Sequence, residues 1–143
     1  VGAAIGGEGN GGVILGEVHY GRDALIGIAL FLTHLARSGN TCSELRKTYP
    51  DYHISKNKVE LAAGMDVQAI VDAIQQRYST QPHSTVDGLR IEFGRTWVHL
   101  RRSNTEPIIR IYAEASTMLE ADALAGRIMS ELAEVAGINA PAR

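Results

Sequence analysis

The sequence has 143 residues, of which 45% are hydrophobic and 21% charged, enough for one ordinary domain or for a small domain with part of another. The net charge of −2 provides no general attraction to nucleic acid or to an anionic membrane. The longest apolar run, residues 24–32, is much shorter than the about 20 residues that a membrane span needs. We therefore expect no nucleic-acid partner and no membrane partner. A single cysteine, Cys42, excludes an intrachain disulfide and favours a reducing, cytoplasmic location.

The first segment, up to about residue 40, predicts a short apolar strand, a glycine-rich loop and a helix. Asp23 is a suitable N-cap for that helix. Apolar residues between Leu25 and Leu35 occupy more than one face, so the helix is expected to be buried on most sides. Nothing else in this segment is large enough to bury it. Because the sequence also opens on Val1 without Met or a signal peptide, we interpret the chain as the later part of a longer protein.

Residues 41–58 form the predicted connection between two domains. A short helix covers Ser43 to Lys47, and Pro50 disfavours helical conformation at Tyr49. We predict one domain remnant at residues 1–48, a hinge at 49–55 and a second domain at 56–143.

The second domain begins with a predicted strand at residues 52–61 and a helix capped by Asp66. Alternating apolar residues then predict three strands at residues 89–93, 97–101 and 109–114. The last helix starts after Thr117, ends at Gly137, and is expected to bury Leu124, Ile128, Leu132 and Val135. This order predicts an α+β fold, an antiparallel sheet with helices on one face.

Residues 101–107, Arg-Arg-Ser-Asn-Thr-Glu-Pro, lie between two of these strands and carry the strongest chemical signal. The Arg101 guanidinium can hold two phosphate oxygens at once. Ser103 and Thr105 supply hydroxyls, and Asn104 supplies an amide in a turn whose backbone N–H groups favour anions. Arg110, on the outgoing strand, is expected on the same side as Arg101. A phosphate monoester fits this set best, although a solvated hairpin turn has a similar composition.

The pattern Arg101-x-Ser103-Asn104-Thr105-Glu106-Pro107 resembles the phosphate-binding loop of the α-D-phosphohexomutases: phosphoglucomutases, phosphomannomutases and phosphoglucosamine mutases. In that family the loop lies in the fourth, C-terminal domain, which has a TBP-like α+β fold. Residues 7–12, Gly-Glu-Gly-Asn-Gly-Gly, resemble the sugar-binding loop of the third, α/β domain, whose pattern is Gly-Glu-x-Ser-Gly-His. The resemblance covers essentially the whole chain and implies the end of the third domain followed by the fourth.

The resemblance also implies roles for individual residues. Glu8 would accept hydrogen bonds from sugar hydroxyls, and Asn10, in place of the family's Ser, would still reach one. The non-reacting phosphate would be held by Arg101, Ser103, Asn104 and Thr105. Arg110 joins this set from its place on the outgoing strand and not from the resemblance. Gly12 stands where the family has a His that in some members lies near the reaction centre, so no proton-transfer role is carried over to this loop. His19 and His99 are the available substitutes, neither of which we favour.

The implied reaction is an isomerisation of a hexose or hexosamine 1-phosphate and 6-phosphate through a phosphoserine and a 1,6-bisphosphate. The family's phosphoserine loop and Asp-rich Mg²⁺ loop are absent from this sequence. We therefore expect the isolated chain to bind a phosphosugar without catalytic residues or a cofactor of its own, and expect Mg²⁺ and the N-terminal domains in the parent protein.

Two other functions remain open. The first is a non-catalytic α+β module for a phosphorylated ligand, in which residues 1–40 would fold with the rest. The second is a nucleic-acid-binding domain, for which Trp97 and Tyr112 would form a stacking platform. A nucleotide-binding loop is disfavoured, because the glycine-rich run lacks the Gly-Lys-Ser/Thr ending of a P-loop.

Overall fold

The structure, a computed structural model, describes residues 2–7, 11–62, 64–103 and 105–138. It forms two compact units, residues 1–50 and 51–143. The elements in chain order are β1 (Ile5–Gly7), β2 (Val13–Leu15), α1 (Ala24–Ser38), α2 (Cys42–Lys47), β3 (His53–Glu60), α3 (Val67–Arg77), β4 (His83–Ser84), β5 (Leu89–Phe93), β6 (Thr96–Arg102), β7 (Ile108–Ala115) and α4 (Met118–Ala136). No helix of the described residues has the length and apolar character to cross a membrane.

The first unit contains the predicted strand and helix, together with a second strand that the sequence did not indicate. Residues 8–10 of the predicted glycine-rich loop lie outside the described residues. Strands β1 and β2 pair antiparallel, with Ile5 opposite Leu15. Helix α1 begins where Asp23 accepts a hydrogen bond from the Ile26 N–H at 3.0 Å, which confirms the predicted N-cap. The short strand was missed because three residues are too few to show alternation.

Helix α1 has no buried residue in the structure. The side chains of Leu25, Ile28 and Leu32 are 78%, 54% and 54% exposed. The sequence predicted that this helix needs burial on most sides, and the described residues of its own unit do not supply that burial.

The second unit is a five-stranded antiparallel sheet in the order β3-β7-β6-β5-β4. Alternate residues of the strands point to one face, where α3 and α4 cover them and form the core. The fully buried large side chains are Val59, Ile74, Leu89, Ile91, Val98, Leu100, Ile109, Ile111, Ile128 and Leu132. The predicted α+β fold, with helices on one face of an antiparallel sheet, is confirmed.

The buried face of α4 differs in part from the predicted one. Ile128 and Leu132 are fully buried as expected, whereas Leu124 and Val135 are only partly buried. The other buried residues of α4 are Ala121, Ala125 and Ala133. Alanine has no side-chain atom beyond Cβ, so the helix approaches the sheet closely along this face. A search for large apolar residues at helical spacing misses such a face.

Candidate functional site

The segment singled out by the sequence is the turn that joins β6 to β7. The Ser103 N–H donates to the Ile108 carbonyl at 3.0 Å and closes the base of the turn. In the antiparallel register of these strands, Arg101 lies directly opposite Arg110. Directly opposed residues share a face of the sheet, so the structure brings both guanidinium-bearing side chains to the face that the helices leave open.

The two hydroxyl residues of the turn lie side by side. The Oγ of Ser103 and the Oγ1 of Thr105 are 3.4 Å apart, and the Thr105 backbone N–H approaches the Ser103 Oγ at 3.4 Å. These contacts are long and weak, so the hydroxyls and the N–H remain available to a stronger acceptor. Thr105 is exposed and Ser103 partly buried. Asn104, the third predicted donor, lies outside the described residues.

Arg101 is held from the side by a residue that the sequence did not indicate. Its Nε lies 3.3 Å from the Oδ1 of Asp87, which belongs to the loop between β4 and β5. The side chains are 53% and 65% exposed. Contact through Nε leaves the terminal nitrogens of the guanidinium for a ligand. Nothing in the sequence spacing links Asp87 to Arg101, because the connection comes from strand pairing between β5 and β6.

Arg110 lies between two other cations. Its neighbour in β6 is Arg101, and its neighbour in β3 is Lys58. Lys58 binds Glu60 at 2.8 Å, and that hydrogen bond raises the pKa of Lys58. Arg110 makes no ion pair with the residues that the structure describes. Like charges directly opposite one another on a sheet repel, so this row favours an anion beside Arg110.

The predicted sugar-binding residues Glu8 and Asn10 lie outside the described residues. The ends of their loop are defined, because β1 and β2 bring Gly7 opposite Val13. The two histidines considered as substitutes for the family's His have other partners. His19 contacts the Asp23 carboxylate at 3.2 Å, and His99 hydrogen-bonds the Asp87 carbonyl.

Mg²⁺ is the metal that the resemblance implies for the parent protein. Within residues 2–7, 11–62, 64–103 and 105–138, no three His, Cys, Asp or Glu side chains come together as a set that could hold a metal ion.

Trp97 and Tyr112, the aromatic residues considered for nucleic-acid stacking, are both partly buried. Trp97 donates its Nε1–H to the Glu114 carboxylate at 2.9 Å, and the Arg90 guanidinium lies 5.0 Å from its ring. The Lys56 ammonium lies 5.9 Å from the Tyr112 ring. Each ring already faces a cation, an arrangement that stabilises the sheet surface without any ligand.

Comparison with known proteins agrees with the two-unit structure. Residues 1–52 match the family model for phosphoglucomutase/phosphomannomutase, alpha/beta/alpha domain III. Residues 57–131, more than half of the chain, match the model for the phosphoglucomutase/phosphomannomutase C-terminal domain.

Individual proteins show the same relationship. A phosphoglucosamine/phosphogalactosamine mutase of Sulfurisphaera tokodaii is 36% identical over 93% of the chain and 29% of its own length. A phosphoglucomutase/phosphomannomutase of Thermococcus kodakarensis is 39% identical over 79% of the chain and 25% of its own length. The crystal structure of a Burkholderia thailandensis phosphoglucomutase/phosphomannomutase family protein superposes with a TM-score of 0.70 at 25% identity, over 99% of this chain and 30% of that one.

The chain thus spans less than a third of the length of each of these relatives. Its two units correspond in order to the third and the C-terminal domains of such proteins. The chain belongs to the phosphoglucomutase/phosphomannomutase family, the α-D-phosphohexomutases, and carries its domains III and IV.

Proposed function

We propose that the chain is the phosphosugar-binding, C-terminal part of a phosphohexomutase, and that the β6–β7 turn holds the phosphate that is not reacting. The observation that carries this proposal is the register pair of Arg101 and Arg110 beside the closed turn. A phosphate monoester carries a charge of about −1.5 to −2, which two guanidinium groups neutralise. Ser103, Asn104 and Thr105 add neutral donors that fix the orientation of its oxygens.

The arrangement suits the chemistry of a mutase in which the sugar turns round between two half-reactions. One fixed anion site holds the 6-phosphate while position 1 reacts, and holds the 1-phosphate while position 6 reacts. Positioning and charge neutralisation supply most of the catalysis in phosphoryl transfer, so a site that touches neither the donor nor the acceptor oxygen still contributes. Glu8 and Asn10 would read sugar hydroxyls that lie similarly in both orientations.

The remainder of the reaction belongs to the parent protein. We assign the phosphoserine and the Mg²⁺ to domains that precede this chain in its relatives, with a cytoplasmic location and a hinge at residues 49–55. The isolated chain then binds phosphosugars and has no mutase activity. Hexose and hexosamine phosphates are both substrates of relatives by name, and the described residues do not distinguish them.

The test is an amide NMR titration of the chain with glucose 6-phosphate, comparing wild type with Arg101→Ala. Arg95→Ala is the matched control. Arg95 lies in the turn before β6, six residues from Arg101, or about 20 Å along an extended strand. Its guanidinium donates to the Tyr52 hydroxyl at 3.3 Å, away from the proposed site.

We expect saturable shifts at residues 101–105 in wild type and in Arg95→Ala, and their loss in Arg101→Ala. A wild-type chain without shifts in this segment contradicts the proposal. Equal shifts in Arg101→Ala and wild type contradict the assigned role of the guanidinium.

A further inference from the structure

The loop between β4 and β5 approaches β6 closely, immediately beside Arg101. Gly88 has φ +72°, and a Cβ at this position would lie 2.3 Å from the Leu100 carbonyl oxygen and 3.1 Å from the Arg101 Cγ. Only glycine tolerates both the left-handed conformation and this distance. The loop backbone therefore lies directly against β6, the strand that carries Arg101.

Two neighbouring backbone contacts place Asp87 against β6. Its backbone carbonyl accepts a hydrogen bond from the His99 ring, which lies two residues before Arg101 on β6. The following residue, Gly88, makes the close approach to the Leu100 carbonyl. The Asp87 carboxylate thus extends from a backbone that contacts β6 at two neighbouring points, although the side chain itself is 65% exposed.

The two side chains form an ion pair through one edge of the guanidinium. The Asp87 Oδ1 lies 3.3 Å from the Nε of Arg101, along the inner edge of the guanidinium. An exposed ion pair of this kind adds little to folding stability. Its consequence is conformational, because it restricts a long side chain that otherwise loses rotamer freedom when it binds a ligand.

We propose that Asp87 is a positioning residue of the phosphate site, which holds the Arg101 guanidinium with its terminal nitrogens free for phosphate oxygens. This inference rests on the proposed function of the β6–β7 turn. The ligand is the phosphate of a phosphosugar, which Asp87 itself does not touch.

The direction in which Asp87→Asn changes the phosphate affinity distinguishes a positioning role from a purely electrostatic one. Asp87→Asn removes a negative charge close to an anion site, so through charge alone it strengthens phosphate binding. Loss of positioning acts in the opposite direction. Glu92→Gln is the matched control. The Glu92 carboxylate contacts the Arg90 guanidinium at 3.5 Å on β5, the strand that pairs with β6, and both side chains are about as exposed as those of Asp87 and Arg101.

The experiment measures two quantities in wild type, Asp87→Asn and Glu92→Gln. One is the dissociation constant for glucose 6-phosphate, from the amide shifts of residues 101–105. The other is the ¹H–¹⁵N signal of the Arg101 Nε–H without ligand, which reports the contact directly. Amide spectra show in the same samples that each variant is folded.

We expect Asp87→Asn to weaken binding by about threefold to tenfold, the scale of ordering one long side chain on binding, and to move the Arg101 Nε–H signal toward that of a free guanidinium. Glu92→Gln is expected to leave the signal unchanged and the affinity equal or slightly higher.

Unchanged or tighter binding in Asp87→Asn overturns the inference while the phosphate site stands. An Arg101 Nε–H signal that does not respond to Asp87→Asn overturns it even without ligand. A wild-type chain with no phosphate response overturns the proposed function, and the inference falls with it.

Discussion

Helix α1 of the first unit and helix α4 of the second have similar ends and opposite surroundings. Both begin at a side chain that accepts a backbone N–H, Asp23 or Thr117, and both end at a left-handed glycine, Gly39 or Gly137. Yet α1 has no buried residue, whereas α4 contributes five to the core. Local capping therefore sets where a helix starts and stops, while burial depends on what lies around it.

Matched isoleucine substitutions give the largest expected difference between the two units. Ile128 in α4 is fully buried, and Ile28 in α1 is 54% exposed. Ile128→Ala is expected to lower the free energy of unfolding of the second unit by about 2–5 kcal/mol, because it leaves a cavity. Ile28→Ala is expected to change that of the first by less than about 0.5 kcal/mol.

Amide hydrogen exchange measures these effects in each unit separately. Trp97 fluorescence during urea unfolding provides a second measurement for residues 51–143, since Trp97 is the sole tryptophan. Equal losses from the two substitutions would contradict the different burial of the two helices.

Matched glycine substitutions should give a smaller difference. Gly39 and Gly88 both have positive φ, 68° and 72°, but a Cβ at Gly39 would meet no atom within 4 Å. Gly39→Ala is expected to cost about 1 kcal/mol of conformational strain. Gly88→Ala adds the collision with the Leu100 carbonyl, for about 2–4 kcal/mol in total. Thermal unfolding monitored by circular dichroism provides the comparison, and a Gly88→Ala chain as stable as Gly39→Ala would show that the loop is not fixed against β6.

The two units should differ least in how strongly their stability depends on pH. They are expected to lose stability at opposite ends of the pH scale. Burial, followed by the hydrogen bond to Glu131, raises the pKa of Tyr78 from 10.0 to about 12. This stabilisation of the second unit is full below pH 10.0 and is lost as the pH rises toward about 12. Tyr78→Phe should abolish that alkaline loss at a cost of about 1 kcal/mol near neutral pH.

In the first unit the Ile26 N–H, and then His19, lower the pKa of Asp23. Its contribution is therefore present above the ordinary pKa of an aspartate and is lost as the pH falls through the lowered value. Hydrogen exchange of α1 and of the second unit across the pH range tests both signs. Alkaline loss that persists in Tyr78→Phe would assign the effect to another group.

The parts of the fold that the sequence predicted are those with repeated or local signals. The caps Asp23, Asp66 and Thr117 are all confirmed, as are the three alternating strands of the second unit. Strands β2 and β4, of three and two residues, were missed because they carry too few residues for a period. The alanine face of α4 was missed because small residues give a weak hydrophobic pattern.

The residues of the candidate site also divide into those with a local sequence signal and those without one. Arg101, Ser103 and Thr105 are contiguous in sequence, and strand alternation indicated that Arg110 would share a side with Arg101. The contributions of Lys58 and Asp87 depend on the pairing of β3 with β7 and of β5 with β6. Which strands become neighbours is a tertiary property, so no local pattern reveals these two residues.

The measurement that tests the central claim most directly is a titration of the wild-type chain with glucose 6-phosphate, glucose 1-phosphate and glucose, followed by amide NMR. A single fixed site for the non-reacting phosphate predicts that both phosphates shift residues 101–105 with similar affinity, and that glucose does not. Shifts from glucose alone, or from only one of the two phosphates, would contradict a site that serves both halves of the reaction.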